Sequence, residues 1–153
     1  MYACYLLSFL SLGMMLVLLA QNFFHFSVFA ANELTFGILT SVVYLFTETL
    51  VIFFFVGTGV SVKEYVQAHG LSADYHRASI AIKRYMYPPQ LLNMLLIMIA
   101  IIMIGAVDTG RMPVWIYRGY FVFCLGHFVY AKLVQHKAFR ESTFNILAMA
   151  GVK

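Results

Sequence analysis

The sequence predicts an all-α integral membrane protein, a four-helix bundle with a short cytoplasmic helical hairpin between its second and third helices. The first observation is composition: 63% of the 153 residues are hydrophobic and 10% are charged, whereas soluble domains have about 45–50% apolar and about 25% charged residues. Because so few charged side chains cannot cover a soluble globule, a soluble enzyme and a secreted disulfide scaffold are excluded. The net charge of +4 does not favour a nucleic-acid-binding domain either, and we expect no nucleic-acid partner.

The second observation is the length of the apolar segments. A helix needs about 20 residues to cross a bilayer core of about 30 Å. Four segments meet this requirement, and they make residues 1–153 a single transmembrane domain. The predicted spans are residues 1–20, 35–59, 89–107 and 113–134. Pro88 and Pro89 precede the third span, as is typical of a helix start.

Basic residues indicate the orientation of the spans, because Lys and Arg are retained on the cytoplasmic side. Only Arg111 and Arg118, of ten basic residues, fall outside. The other eight lie in the loop between the second and third spans or near the carboxyl end: Lys63, Arg77, Lys83, Arg84, Lys132, Lys137, Arg140 and Lys153. We therefore expect a multi-pass protein with both termini in the cytoplasm. The loop over residues 61–87 should form the cytoplasmic hairpin, with its turn at His69-Gly70.

Two ionisable residues, Glu48 and His127, lie well inside predicted spans, where a charge costs about 2.5–3.5 kcal/mol. Both spans run inward, and Glu48 is about 13 residues and His127 about 14 residues from the outer end. Equal depth predicts a hydrogen bond between the carboxylate and the imidazole. Tyr44 and Tyr130 lie one turn away on the same helix faces, so one of them should complete the network. We interpret Asn93, in the third span, as a hydrogen bonder between helices.

This polar group admits two main interpretations, besides the ligation of a metal or a haem. Buried polar pairs often hold membrane helices together and do nothing else. Alternatively, Glu48 and His127, with the neighbouring tyrosines, relay a proton or bind a quinone headgroup.

A haem b with two histidine ligands requires two imidazoles at one depth, and His127 is the only histidine inside a predicted span. The other histidines fall in the outer interface or on the cytoplasmic side: His25, His69, His76 and His136. Haem b is therefore excluded within one chain. No spacing matches a metal motif, so a quinone is the one cofactor that the sequence suggests.

Three functions fit these observations, and none requires catalysis by the chain alone. The first, which we favour, is a non-catalytic anchor or accessory subunit of a larger membrane complex of the electron-transport type. Its partners would be the lipid bilayer and other membrane protein subunits, with the apolar tail over residues 138–153 available to one of them. The second is a small oligomeric transporter or proton-conducting bundle that uses Glu48 and His127. The third is a redox membrane subunit that binds a quinone.

Overall fold

The computed structural model describes residues 2–24, 26–28 and 31–151, and the regular elements in these ranges are all helices. The helices are α1 (Tyr2–Phe24), α2 (Glu33–Ala68), α3 (Asp74–Asp108) and α4 (Val114–Met149). The predicted all-α architecture of four helices is therefore confirmed. Three residues that the predictions use, Met1, His25 and Lys153, lie outside the described residues.

Three of the described helices, α1, α2 and α3, are long and apolar enough to cross a membrane. α4 is long enough but less apolar, because Arg118, His127 and Lys132 fall within the predicted fourth span. That fourth span, and insertion itself, stay predictions. With 36, 35 and 36 residues, α2, α3 and α4 are each about 50 Å long at the helical rise, so each exceeds a bilayer core of about 30 Å.

The connection between α2 and α3 lies where the sequence predicts the hairpin turn. α2 ends at Ala68, and Gly70 has a φ of +62°, in the left-handed region that favours glycine. α3 begins four residues later, at Asp74. The cytoplasmic location of this turn stays a prediction.

Pro88 and Pro89 lie inside α3 and do not mark its beginning. Each proline lacks the N–H that would bond to the carbonyl one turn earlier, which normally kinks or ends a helix. Here α3 continues because it is packed on both sides of the prolines. Met86 is buried before them, and Gln90 and Asn93 are buried after them. Tertiary contacts therefore override the local preference, and the short hairpin helix and the third span form one continuous helix.

The interior of the bundle holds many polar side chains, while large apolar side chains lie on the outside. α3 packs between α2 and α4, and α1 packs against α2 and contacts α4. The buried polar residues include Ser11, Gln21, Asn22, Thr40, Ser41, Thr47, Glu48, Gln90, Asn93 and Gln135. Outward-facing residues include Phe46, which is 58% exposed, and Ile102, which is 72% exposed. Apolar side chains such as Val51, Phe55 and Phe128 are buried as well, so the bundle has a mixed apolar and polar interior and an apolar exterior.

Candidate functional site

Glu48 forms a buried ion pair with Lys132, which joins α2 to α4. The side chain of Glu48 is 2% exposed and that of Lys132 is 18% exposed. Gln135 lies three residues after Lys132 on the same face of α4, and its Nε2 donates to the other carboxylate oxygen of Glu48 at 2.6 Å. Both carboxylate oxygens are therefore occupied by donors from α4.

Lys132 extends this network to α1. Its Nζ donates to Ser8 Oγ at 3.0 Å and to Gln135 Oε1 at 2.9 Å, in addition to Glu48. An ammonium group has three N–H donors, so each donor has an acceptor. From α3, Gln90 Nε2 donates to the backbone carbonyl of Glu48 at 3.0 Å. Side chains from all four helices thus belong to one hydrogen-bond network centred on Glu48 and Lys132.

A second polar chain lies one turn nearer the predicted outer side. Asn93 Nδ2 donates to Tyr44 Oη at 2.5 Å, and His127 Nδ1 lies 2.9 Å from Asn93 Oδ1. Because an amide oxygen only accepts, the proton of this bond belongs to Nδ1 of His127. The ring of Tyr130 meets the His127 ring edge-on at a centroid distance of 5.8 Å, and Tyr130 is 55% exposed.

Glu48 and His127 do not share the predicted hydrogen bond, since each has other partners in the described chain. Tyr44 precedes Glu48 by four residues, about 6 Å along the helix axis. His127 is level with Tyr44, to which it is connected through Asn93. Counting from span ends therefore places His127 one turn too deep. At the level of Glu48, the charged Lys132 is a stronger partner for a carboxylate than a neutral imidazole.

Lys132 was not predicted to be part of this site. It lies within the predicted fourth span, but near the inner end of that span, where basic residues are expected on the cytoplasmic side. Lys132 could have been identified as the partner of Glu48 because a buried carboxylate needs an opposite charge. Gln135 lies three residues further on the same face of α4, and its amide is a second polar group that points to this face as the partner of Glu48. Asn93 does bond between helices, as predicted.

Polar contacts join the carboxyl-terminal end of α1 to the amino-terminal end of α4. Arg118 Nε donates to Asn22 Oδ1 at 2.7 Å, and Arg118 Nη2 donates to the Asn22 carbonyl at 2.6 Å. Asn22 Nδ2 donates to the carboxylate of Glu33 at the start of α2. Arg118 also lies over the ring of Phe23, 5.1 Å from its centroid. This basic residue therefore has a structural role at the end of the bundle.

The carboxyl-terminal half of α4 packs on the amino-terminal half of α3. Tyr85 Oη donates to Glu141 Oε2 at 2.8 Å, and Asn145 Nδ2 donates to the Tyr75 carbonyl at 2.9 Å. Burial and the hydrogen bond to the carboxylate raise the pKa of Tyr85, so this phenol remains a neutral donor. The predicted tail, which we expected at the membrane surface or against a partner, continues α4 to Met149.

The cavity that lies beside Tyr44 is too small for an organic cofactor. The cavity beside Tyr44 has a volume of about 10 Å³, which is at the lower limit for one water molecule. Among the described residues, no three His, Cys, Asp or Glu side chains are grouped closely enough to hold a metal ion.

Comparisons of the chain with protein-family models, curated proteins and solved structures find no match. No role is carried over from a relative to any residue. The arguments for function are the buried Glu48–Lys132 ion pair, the Tyr44–Asn93–His127 chain and the outward position of the apolar side chains.

Proposed function

We propose that this chain is a small multi-pass membrane subunit, an anchor or accessory component of a larger complex, with no catalytic activity of its own. The observation that carries the proposal is the apolar exterior of the bundle, which encloses an interior that contains a buried ion pair. In hydrocarbon, an outward-facing Glu48 or Lys132 would lack both water and a partner. Their pairing inside the bundle removes that cost while the apolar surface contacts lipid.

The proposal includes four spans, with α4 crossing the membrane beside α3. Lys132 makes α4 less apolar in sequence, but the ion pair neutralises it in the folded bundle. Because Lys132 is buried in the bundle, it no longer counts as a cytoplasmic residue. Seven of the ten basic residues then lie on the proposed cytoplasmic side, two lie on the outer side and one is buried in the bundle. The bias still favours both termini and the hairpin in the cytoplasm.

Assembly with partner proteins is supported by the inner end of α4. Phe144 is 58% exposed and Leu147 is 40% exposed, and both lie beyond residue 134, where the proposed fourth span ends. An apolar side chain in this position faces water or headgroups unless another protein covers it. We propose that the complex is of the electron-transport type. A lipid-facing cleft beside the ion pair is lined by Tyr5, Ser8 and His136, whose side chains can donate hydrogen bonds to a lipid-soluble redox carrier.

The structure gives less support to a proton-conducting bundle. The connection between His127 and Tyr44 passes through the amide of Asn93. An amide oxygen accepts and an amide nitrogen donates, but the group does not exchange these roles as a hydroxyl does. The chain is therefore suited to holding α2, α3 and α4 together rather than to proton transfer.

The test is the state of the protein after extraction in mild detergent. We expect it to remain in the membrane after alkaline washing, and to migrate with larger subunits in native sizing and mass spectrometry. Leu147→Ser should weaken this association, whereas Trp115→Ser, a matched change of an exposed apolar residue at the outer end of α4, should not. Recovery as an active monomer or a homo-oligomer alone would contradict the subunit proposal.

A further inference from the structure

A cleft of about 270 Å³ lies between α1 and α4, next to the ion pair. Its apolar walls include Phe9 and Leu12 of α1 and Phe128 and Phe139 of α4. Pockets that enclose a whole drug-sized ligand have volumes of about 300–1,000 Å³. The cleft is therefore large enough for the headgroup of a lipophilic molecule whose tail extends into lipid.

One hydrogen-bond donor in the cleft comes from the pair formed by Tyr5 and His136. Tyr5 Oη lies 3.0 Å from His136 Nδ1, and a neutral imidazole has one donor and one acceptor nitrogen. If Tyr5 donates to Nδ1, then Nε2 of His136 carries a hydrogen. If Nδ1 donates, then the hydroxyl hydrogen of Tyr5 is available. In both arrangements, the pair retains one donor for a ligand.

Ser8 supplies a second donor. Its Oγ accepts a hydrogen bond from Lys132, which leaves its hydroxyl hydrogen for another acceptor. Ser8 follows Tyr5 by three residues, so the two side chains are neighbours on α1, about 5–6 Å apart at Cβ. The cleft thus offers two donors about one helical turn apart.

The charges around the cleft favour a neutral ligand. Lys132 lines the cleft, but its charge is balanced by Glu48 and its three donors are occupied. A carboxylate or phosphate would gain little attraction from it and would lose its own hydration. Aromatic walls favour a flat ring between them. The required ligand is a neutral planar ring with acceptor oxygens on opposite sides and an apolar tail.

We propose that this cleft binds the headgroup of a lipid-soluble para-quinone, with one carbonyl oxygen at Ser8 and the other at the Tyr5–His136 pair. This inference rests on the proposed membrane location, but not on a partner subunit. It also moves the quinone site away from Glu48, His127, Tyr44 and Tyr130, the residues for which the sequence suggested it. The cavity beside Tyr44 has a volume of only about 10 Å³.

The experiment uses the purified full chain in lipid nanodiscs, a photoreactive azido-ubiquinone and decylubiquinone as competitor. We expect adducts on α1 near Phe9 and on α4 near Leu133, and we expect decylubiquinone to prevent them. Leu12→Trp should fill the cleft and reduce labelling at least about tenfold. Leu16→Trp, on the lipid-facing side of α1, is the matched control and should retain full labelling.

A second pair of variants tests the hydrogen bond. The double change Tyr5→Phe with His136→Phe removes the donor in either arrangement of the pair. It should weaken competition by decylubiquinone about three- to tenfold, the effect of losing one hydrogen bond, whereas Tyr2→Phe, at an exposed position of the same helix, should not. Adducts spread over the outer faces of all helices, or equal labelling of the two tryptophan variants, would overturn the proposal. Labelling in the cleft of a chain that extracts without partners would contradict the subunit proposal alone.

Discussion

Glu48 on α2 and Lys132 on α4 form an ion pair inside the bundle, and Gln135 completes the hydrogen bonding of the carboxylate. Removing one member of such a pair leaves the other charge buried without a partner. The pair therefore fixes the relative position of two helices that are 84 residues apart in sequence at this point. Stability and helix register depend on both residues together.

Glu48→Gln tests this dependence. The glutamine has nearly the same shape, but it leaves the ammonium of Lys132 without a counter-charge. We expect the free energy of unfolding to fall by about 3–5 kcal/mol, measured by thermal or denaturant unfolding of the detergent-solubilised protein.

The matched control removes both charges. The double variant with Glu48→Gln and Lys132→Met should recover much of the lost stability, because no unpaired charge remains. A Glu48→Gln protein as stable as the native chain, or a double variant whose loss equals the sum of the two single losses, would argue against the ion pair.

Asn93→Leu tests the second polar chain. The change removes the bonds to Tyr44 and His127 and leaves both partners in an apolar interior. We expect a loss of about 1–2 kcal/mol. Tyr130→Phe is the control, because Tyr130 only contacts the edge of the His127 ring and should change stability by about 0.5 kcal/mol or less. Equal effects of the two changes on the melting temperature would contradict the assignment.

The fold follows from sequence features that act over short distances. Long apolar segments predict α1, α2 and α3, and Gly70 predicts the turn between α2 and α3. The continuity of α3 through Pro88 and Pro89 was not predictable in this way. It depends on the packing of Met86 and Gln90 against other helices, which local preferences do not contain.

The site was only partly predictable for a related reason. Glu48 is recognisable as a buried polar residue because it lies inside an apolar segment. Its partner depends on the axial register between α2 and α4, and an error of five residues, about 7.5 Å along the helix axis, exchanges Lys132 for His127. Span ends are not known to that accuracy from sequence. The need of a buried carboxylate for an opposite charge predicts the partner of Glu48 better than the number of residues counted from the span ends.

Single-cysteine labelling tests the proposed orientation in a background with Cys4→Ala and Cys124→Ala. A membrane-impermeant maleimide added to intact cells should label Thr109→Cys, between α3 and α4. It should label Ser72→Cys, in the hairpin turn, only after the cells are opened. Strong labelling of Ser72→Cys in intact cells would show that the hairpin lies outside the cell and would contradict the proposed orientation.

The most direct test of the central claim, a bundle with its apolar surface in lipid, is the accessibility of spin labels in proteoliposomes. Labels at Phe46→Cys and Met98→Cys, whose native side chains are 58% and 51% exposed, should collide strongly with oxygen and weakly with a water-soluble nickel reagent. A label at Ala100→Cys, which replaces a residue 4% exposed, is the control and should be shielded from both. Strong collision of the Phe46→Cys and Met98→Cys labels with the nickel reagent would show that these faces contact water and would contradict the account.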